Sequence, residues 1–159
     1  MIIGIVAHSN NFCIGKNNTI PWKISEDMKR FKVITTGGIV VFGKNTWESL
    51  PVKPLPDRTN VIISKSTDRE TLPGGVQVFD SVDAFMKIHK DTKQDIFICG
   101  GTGIYEGFLP YTEKFYVTVV NQTVHGDAYL KETIFDDFRV TRILSNDGFK
   151  FEELMRTKP

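Results

Sequence analysis

One carboxylate lies at the edge of an apolar helical stripe, where it could meet a ligand. The spacing predicts a helix over residues 25–35, with its apolar positions at Ile24, Met28, Phe31 and Ile34. Asp27 stands four residues before Phe31, which places it beside that stripe. A carboxylate buried there without a partner would be costly. Asp27 is therefore either a first-turn residue that complements the helix dipole or a cleft residue that meets a cationic or hydrogen-bond-donating ligand.

Two glycine-rich segments that follow apolar runs could bind phosphate. The first, Cys-Gly-Gly-Thr-Gly-Ile-Tyr over residues 99–105, departs from GxGxxG because Glu106 occupies the third glycine position. The second, over residues 43–46, follows Gly38, and residues 38–45 nearly match the triphosphate-binding pattern GxxxxGK[ST]. The four residues between Gly38 and Gly43 form an apolar strand sequence, and Asn45 stands where Ser or Thr would hold magnesium. We therefore exclude a nucleoside triphosphatase, while each segment remains either a packing turn or a phosphate site.

Composition excludes several other classes of protein. The chain has 159 residues and a net charge of +1, which predicts one domain over residues 1–159 and no nucleic-acid partner. Cys13 and Cys99 lack zinc-ligand spacing and favour reduced thiols in the cytoplasm. The three histidines are isolated and no GxSxG occurs, so neither a metal site nor a covalent hydrolase is predicted. The first apolar run is too short to cross a membrane.

The elements that must position these residues alternate between strands and helices. Strands are predicted over residues 2–7, 39–42, 60–64, 76–79, 96–99, 114–120, 138–144 and 149–154. Helices are predicted over residues 25–35, 44–49, 81–89 and 103–108, with Ser25 and Ser81 as N-caps. The alternation predicts an α/β fold with a mostly parallel central sheet of about eight strands, antiparallel at its C-terminal edge, and about four flanking helices. Residues 8–24 are predicted to be neither helix nor strand, and a loop this long is usually functional.

Taken in order, these segments resemble dihydrofolate reductases over nearly the whole chain. The residues that carry the resemblance are Ile14-Gly15, Ile20-Pro21-Trp22, Asp27-Met28, Phe31-Lys32, Val40 to Ser49, Pro54-Leu55-Pro56, Arg58, Asn60, Gly100-Gly101, Ile104-Tyr105, Thr118 and Gly126-Asp127. The resemblance implies NADPH-dependent reduction of 7,8-dihydrofolate to tetrahydrofolate, with a hydride transferred to pterin C6 and a proton to N5.

By the same resemblance, catalysis would depend on Asp27, Thr118, Trp22 and Ile20. Asp27 would bind the pterin's 2-amino group and N3 side, Thr118 would hydrogen-bond that carboxylate, and Trp22 would hold an ordered water. Arg58 would take the α-carboxylate of the glutamate tail. The other implied substrate-binding residues are Ile5, Val6, Ala7, Met28, Phe31, Lys32, Leu50, Leu55 and Cys99.

The implied cofactor site covers the loop and both glycine-rich segments. Its residues are Ala7, Ile14, Gly15, Ile20, Gly43, Lys44, Asn45, Thr46, Ser64, Lys65, Ser66, Cys99, Gly100, Gly101, Thr102, Gly103, Ile104 and Tyr105. Gly103 stands where some relatives have a basic residue, so phosphate recognition would depend more on Lys44 and Lys65. Asp127 would hydrogen-bond the loop over residues 8–24, which would act as a lid. The implied protein is a cytoplasmic monomer that also binds antifolate inhibitors.

Two alternatives remain. One is a reductase of the same broad fold that acts on other pteridines or pyrimidines, as in riboflavin biosynthesis. Asp27 in its helix together with Arg58 argues against it. The other is a module that binds NADPH or folate without catalysis, which stoichiometric binding without NADPH oxidation would reveal.

Overall fold

A computed structural model describes residues 1–157 of the chain. The ten strands of this described part are β1 (Ile2–Ser9), β2 (Cys13–Gly15), β3 (Ile39–Gly43), β4 (Thr59–Ile63), β5 (Gln77–Phe79), β6 (Ile96–Ile98), β7 (Lys114–Val120), β8 (Ala128–Tyr129), β9 (Phe138–Ser145) and β10 (Phe149–Arg156). Its α-helices are α1 (Ser25–Thr35), α2 (Lys44–Ser49), α3 (Val82–His89) and α4 (Thr102–Phe108). Short 3-10 helices cover Arg69–Thr71, Leu109–Tyr111 and Glu132–Phe135. The end of the predicted domain, at residue 159, lies outside the described residues.

Eight strands form one sheet in the order β5-β4-β3-β6-β1-β7-β10-β9. Every pair from β5 to β7 is parallel, whereas β10 is antiparallel to both β7 and β9. The predicted fold class is therefore confirmed. Parallel strands covered on both faces explain the continuous apolar runs, and β3 is buried at Ile39, Val40, Val41 and Phe42.

Two apolar clusters cover the two faces of this sheet. The first contains Phe85 of α3, Phe108 of α4 and Phe115 of β7, all nearly inaccessible to solvent. The second contains Phe42 and Trp47, and Ile34, Leu50 and Leu55 pack against it. Because successive side chains of a strand point to opposite faces, Val6 of β1 packs into the first cluster and Ile5 packs against the second.

The prediction that residues 8–24 contain no strand is wrong. His8 and Ser9 complete β1, and β2 pairs with β8 in a separate two-stranded sheet. Strands of three and two residues are too short to show an alternating pattern. Their pairing joins parts of the chain that are far apart in sequence, so no local signal marks it.

The prediction of helix caps is right at one serine and wrong at the other. Ser81 caps α3, because its Oγ accepts a hydrogen bond from the Ala84 amide at 3.0 Å. Ser25 is instead the first residue of α1, whose N-cap is Ile24 without a side-chain cap bond. The predicted apolar stripe of α1 also fails at Met28, which is 56% exposed. Met28 is the residue after Asp27, at the open end of the helix face.

Candidate active site

Asp27 and Thr118 form the polar centre of the candidate site. The Thr118 hydroxyl of β7 donates to Asp27 Oδ1 at 2.5 Å. Thr118 is buried and Asp27 is half-buried in the first turn of α1. Burial raises the pKa of Asp27 above its usual range, and this effect outweighs the opposing effects of the Thr118 hydrogen bond and the positive charge of Arg30. The carboxylate is therefore directed into the protein, toward β7.

The groups around Asp27 are mostly apolar or neutral. The Nε1 atom of Trp22 is buried and has no hydrogen-bond partner among residues 1–157. The buried Tyr105 hydroxyl donates to the Ile5 carbonyl at 2.7 Å, and burial raises the pKa of Tyr105 well above its usual range. Ile20 is 66% exposed. An exposed apolar side chain two residues before a tryptophan with an unpaired indole N–H favours a ligand-binding segment.

Arg58 lies at the other end of α1. Its Nη1 donates to Thr35 Oγ1 at 3.1 Å, and its Nε donates to the Pro56 carbonyl at 2.8 Å. The guanidinium carbon is 6.0 Å from the centre of the Phe31 ring. With a helical rise of 1.5 Å per residue, Asp27 and Thr35 are about 12 Å apart along the axis. A hydrogen-bonding group and a cation thus stand at opposite ends of a helix face that bears an aromatic ring.

The structure brings the two glycine-rich segments together. The Gly43 amide donates to the Gly100 carbonyl at 2.8 Å, where the parallel neighbours β3 and β6 end. A Cβ atom at Gly43 would lie 3.0 Å from Ile104 Cγ1, so a side chain here would force Ile104 to move. The helices α2 and α4 start at these strand ends, and neither has an acidic residue in its first turn. Two helix N-termini without negative charge can bind an anion such as a pyrophosphate.

A serine-rich turn after β4 lies beside α2. Lys44 Nζ is 3.3 Å from Ser66 Oγ, which joins the start of α2 to this turn. The Ser64 hydroxyl accepts hydrogen bonds from the amides of Ser66 and Thr67, both at 3.2 Å. Lys65 is exposed between these serines. Lys44 and the turn that bears Lys65 are therefore adjacent, as the predicted phosphate site requires.

Asp127 joins the segment before β8 to the loop over residues 8–24. Its Oδ2 accepts from the Asn17 amide at 2.9 Å, and its own amide donates to the Gly15 carbonyl at 3.0 Å. The predicted contact between Asp127 and the loop backbone is therefore present. Asn17 and Asn18 have φ angles of 50° and 60°, which asparagine tolerates better than most residues.

Three predicted substrate-site residues have positions that limit what they can do. The Val6 side chain packs in the apolar cluster on the sheet face opposite α1. Lys32 is exposed in the last turn of α1. Burial raises the pKa of the Cys99 thiol to about 12, so Cys99 is a protonated wall residue. Residues 1–157 contain no cluster of side chains that could hold a metal ion.

Sequence reasoning missed Arg30, which lies near Asp27. It follows Asp27 by three residues on α1, and its guanidinium carbon is 4.2 Å from the centre of the Phe151 ring. Helical spacing could have identified it, because positions i and i+3 share a face.

Within the described residues, no helix is long and apolar enough to cross a membrane.

Comparison with known proteins agrees with this architecture. The family model of dihydrofolate reductase matches residues 1–151. The chain is 39% identical to the dihydrofolate reductase of Neisseria gonorrhoeae over 128 residues, covering 80% of this chain and 77% of that protein. It is 35% identical to the dihydrofolate reductase of Buchnera aphidicola, covering 96% of this chain and 97% of that protein. It also matches 30% of the length of a bifunctional dihydrofolate reductase-thymidylate synthase from Paramecium tetraurelia, at 38% identity over 87% of this chain.

A solved structure shares the fold. The dihydrofolate reductase from Enterococcus faecalis, complexed with NADP(H) and RAB-propyl, superposes with a TM-score of 0.87 at 24% identity, covering 99% of this chain and 97% of that one. The parallel sheet with glycine-rich turns after β3 and β6 has the architecture of α/β proteins that bind small molecules at the carboxyl ends of their strands. The chain belongs to the dihydrofolate reductase family. Its activity is the NADPH-dependent reduction of dihydrofolate to tetrahydrofolate.

Proposed function

We propose that Asp27 is the group that binds the pterin ring and favours protonation of N5 while C6 receives the hydride. The observation that carries this assignment is the 2.5 Å hydrogen bond from Thr118 to Asp27. Thr118 donates to Oδ1 and fixes the orientation of the carboxylate. The carboxylate can then accept the parallel donors of the pterin's 2-amino group and N3 side. The buried, unpaired Nε1 of Trp22 is suited to hold a water beside the ring.

The rest of the substrate would lie along α1 toward Arg58. Ile5, Phe31 and Leu50 supply apolar surface for the pterin and benzoyl rings, and the exposed Met28 would be covered when the substrate binds. Thr35 and Pro56 hold the Arg58 guanidinium in place, which suits bidentate recognition of the tail's α-carboxylate. The separation of about 12 Å along the helix fits a long substrate with one anionic end.

The residues present fit NADPH. When bound, NADPH supplies the hydride. The hydrogen bond from Gly43 to Gly100 brings the starts of α2 and α4 close together, and a pyrophosphate would bind there. Lys44 and the adjacent Lys65 would bind the 2′-phosphate. Ala7, Ile14 and Ile20 would border the nicotinamide. The Asp127–Asn17 hydrogen bond supports the loop that would exclude water from this region.

The decisive experiment mixes the purified protein with NADPH and dihydrofolate and follows the near-ultraviolet absorbance of NADPH. We expect the absorbance to fall at a rate proportional to enzyme concentration, with tetrahydrofolate formed in equal amount. Without dihydrofolate the absorbance should stay constant. Binding of both ligands without any loss of absorbance would instead support a binding module.

The enzyme acts as a monomer in the cytoplasm, and antifolate inhibitors would occupy the cleft beside Asp27. Cys13 and Cys99 are both free thiols, as a reducing compartment requires. Sedimentation velocity tests the oligomeric state, and a species twice the mass of the chain would contradict it. An antifolate should inhibit competitively with dihydrofolate, and Asp27→Asn should weaken antifolate binding. These two measurements test whether both ligands bind beside Asp27.

A further inference from the structure

The charges around Arg30 are unevenly paired. Glu153 of β10 has two cationic partners, Lys114 Nζ at 3.2 Å and Arg142 Nη1 at 3.6 Å. Within residues 1–157, neither Arg30 nor Asp27 belongs to an ion pair, and the Arg30 side chain makes no hydrogen bond. One cation and one anion without ion-pair partners therefore lie three residues apart on the same face of α1.

Aromatic rings hold Arg30 in place. Its guanidinium carbon lies 4.2 Å from the centre of the Phe151 ring and 5.4 Å from that of Tyr116. Phe151 is the direct cross-strand neighbour of Thr118, which donates to Asp27. Arg30 and Asp27 therefore contact adjacent residues of the same sheet face. A guanidinium held over aromatic rings loses little further freedom when it acts on a nearby charge.

We propose that Arg30 is a positioning residue for the reaction: fixed on Phe151 and Tyr116, it supplies the positive charge that stabilises the Asp27 carboxylate before substrate binds. This inference rests on the proposed role of Asp27 and adds a residue that does not contact the pterin. Arg30 lies in the wall of an open groove of about 300 Å³, on the sheet face that Thr118 shares; the groove is also lined by Ile34, Tyr116, Arg142, Leu144, Phe151 and Glu153. Because Arg30 is half-buried, its charge is screened less than it would be in bulk water.

The other charged and titratable groups nearby define the net effect. Asp27 is faced by the phenol of Tyr105 from α4 and the hydroxyl of Thr118 from β7, and both groups are uncharged. Arg30 is faced by Glu153, Tyr116 and Arg142. Glu153 pairs with both Lys114 and Arg142, and of the charged side chains among residues 1–157 only Arg30 acts on the pKa of Asp27. Arg30 lowers the pKa of Asp27, against the larger upward effect of burial.

The test is a titration of the Asp27 carboxyl by carbon-13 NMR in the ligand-free protein, with Asp27→Asn used to assign the signal. The Cβ atoms of positions i and i+3 on a helix lie about 5–6 Å apart, and removing a unit charge at about 6–8 Å in water changes a proton-binding constant roughly two- to threefold. We expect Arg30→Met and Arg30→Gln each to raise the proton-binding constant of Asp27 by this factor. Arg30→Lys keeps the charge and should restore most of the wild-type value.

A matched control removes a positive charge from the opposite layer. Lys87→Met, on α3, should leave the titration of Asp27 unchanged. An unchanged titration in both Arg30→Met and Arg30→Gln would overturn the proposal. An equal effect of Arg30→Lys or of Lys87→Met would also overturn it, in favour of packing or of general net charge. Because no ligand is present, the titration does not depend on turnover, so failure of the proposed reaction is seen separately in the NADPH assay.

Discussion

The two faces of the sheet differ in how completely their side chains are buried. On one face, Phe85, Phe108 and Phe115 are almost fully buried and contact one another or their neighbours edge to face. On the other, the cluster around Phe42 and Trp47 packs against α1, which carries the half-buried carboxylate of Asp27 and the exposed Met28. Burying a charge is unfavourable and must be offset by stability gained elsewhere. The comparison indicates that one face stabilises the fold while the other carries the chemistry.

The largest effect should come from the well-packed face. Phe85 is inaccessible to solvent and contacts the rings of Phe79, Phe108 and His89. We expect Phe85→Ala to lower the free energy of unfolding by about 3–5 kcal/mol, while kcat of the folded fraction stays close to wild type. Urea denaturation measures the first quantity and steady-state assays the second.

Ile88→Ala is the matched control on the same helix. Ile88 is 69% exposed, so its truncation should change stability by less than about 0.5 kcal/mol. A loss of kcat in Phe85→Ala as large as its loss of stability would show that the two faces are not separable in this way.

On the cleft face, Asp27→Asn should reduce the hydride step at neutral pH by at least about 100-fold, the lower end of general acid–base contributions. The substitution keeps the shape of the side chain and removes the negative charge that favours N5 protonation. Activity should climb as the pH falls, because dihydrofolate protonated from solvent does not need the carboxylate. The pH profile of kcat/KM tests this role of the carboxylate. Wild-type activity of Asp27→Asn at neutral pH would contradict it and would mean that Asp27 only complements the start of α1.

Asp27→Asn, which should lower activity, should raise the stability of the fold at neutral pH. The folded state raises the pKa of Asp27, so ionised Asp27 destabilises the fold at pH values above that raised pKa. As the pH falls through the raised pKa, this destabilisation disappears. Asp27→Asn should therefore be more stable than wild type at neutral pH, and the difference should vanish in acid below the unfolded-state pKa. Thermal unfolding at several pH values measures it, and an advantage that persists in acid would rule out this electrostatic explanation.

A smaller effect is expected where the cofactor binds. The double substitution Lys44→Ala, Lys65→Ala should weaken NADPH binding at least about tenfold more than NADH binding, since charge-assisted hydrogen bonds contribute roughly 1.5–3 kcal/mol each. Only NADPH carries the 2′-phosphate that these lysines would bind. Fluorescence titration with both cofactors tests this, and equal losses would mean that the phosphate lies elsewhere.

The smallest effect concerns the loop over residues 8–24. Asp127→Ala removes the acceptor of the Asn17 amide, so the closed loop should be less populated and hydride transfer several-fold slower. Single-turnover kinetics measure the step, and circular dichroism should show an unchanged fold. Asp91→Ala, in an exposed loop after α3, is the control. Identical single-turnover rates in Asp127→Ala and wild type would separate the loop from the chemistry.

Sequence alone predicted most of the fold because the parallel strands are continuous apolar runs. The bounds of α1, α2 and β7 match the structure, and other predicted strands differ by a few residues at their ends. The exceptions have physical reasons. The strands β2 and β8 depend on pairing between distant segments. Ser81 caps α3, whereas Ser25 is the first residue of α1, although both serines precede a helical pattern in the sequence. The helical pattern places Asp27 at the edge of the apolar stripe, but whether burial outweighs the Thr118 hydrogen bond and the Arg30 charge in setting its pKa depends on packing against β7, which no local pattern encodes.

The order of the sheet has a consequence for synthesis of the chain. The first strand made, β1, lies in the middle of the sheet between β6 and β7, which begin only at Ile96 and Lys114. A growing chain that ends before Lys114 leaves one edge of β1 unpaired and lacks Thr118, the hydrogen-bond donor to Asp27. Such non-local strand pairs form slowly and leave edges open to aggregation until they do. Most of the chain must therefore leave the ribosome before the Asp27 site can form. During that interval one edge of β1 stays unpaired, and chaperones or rapid completion of the sheet would protect it from aggregation.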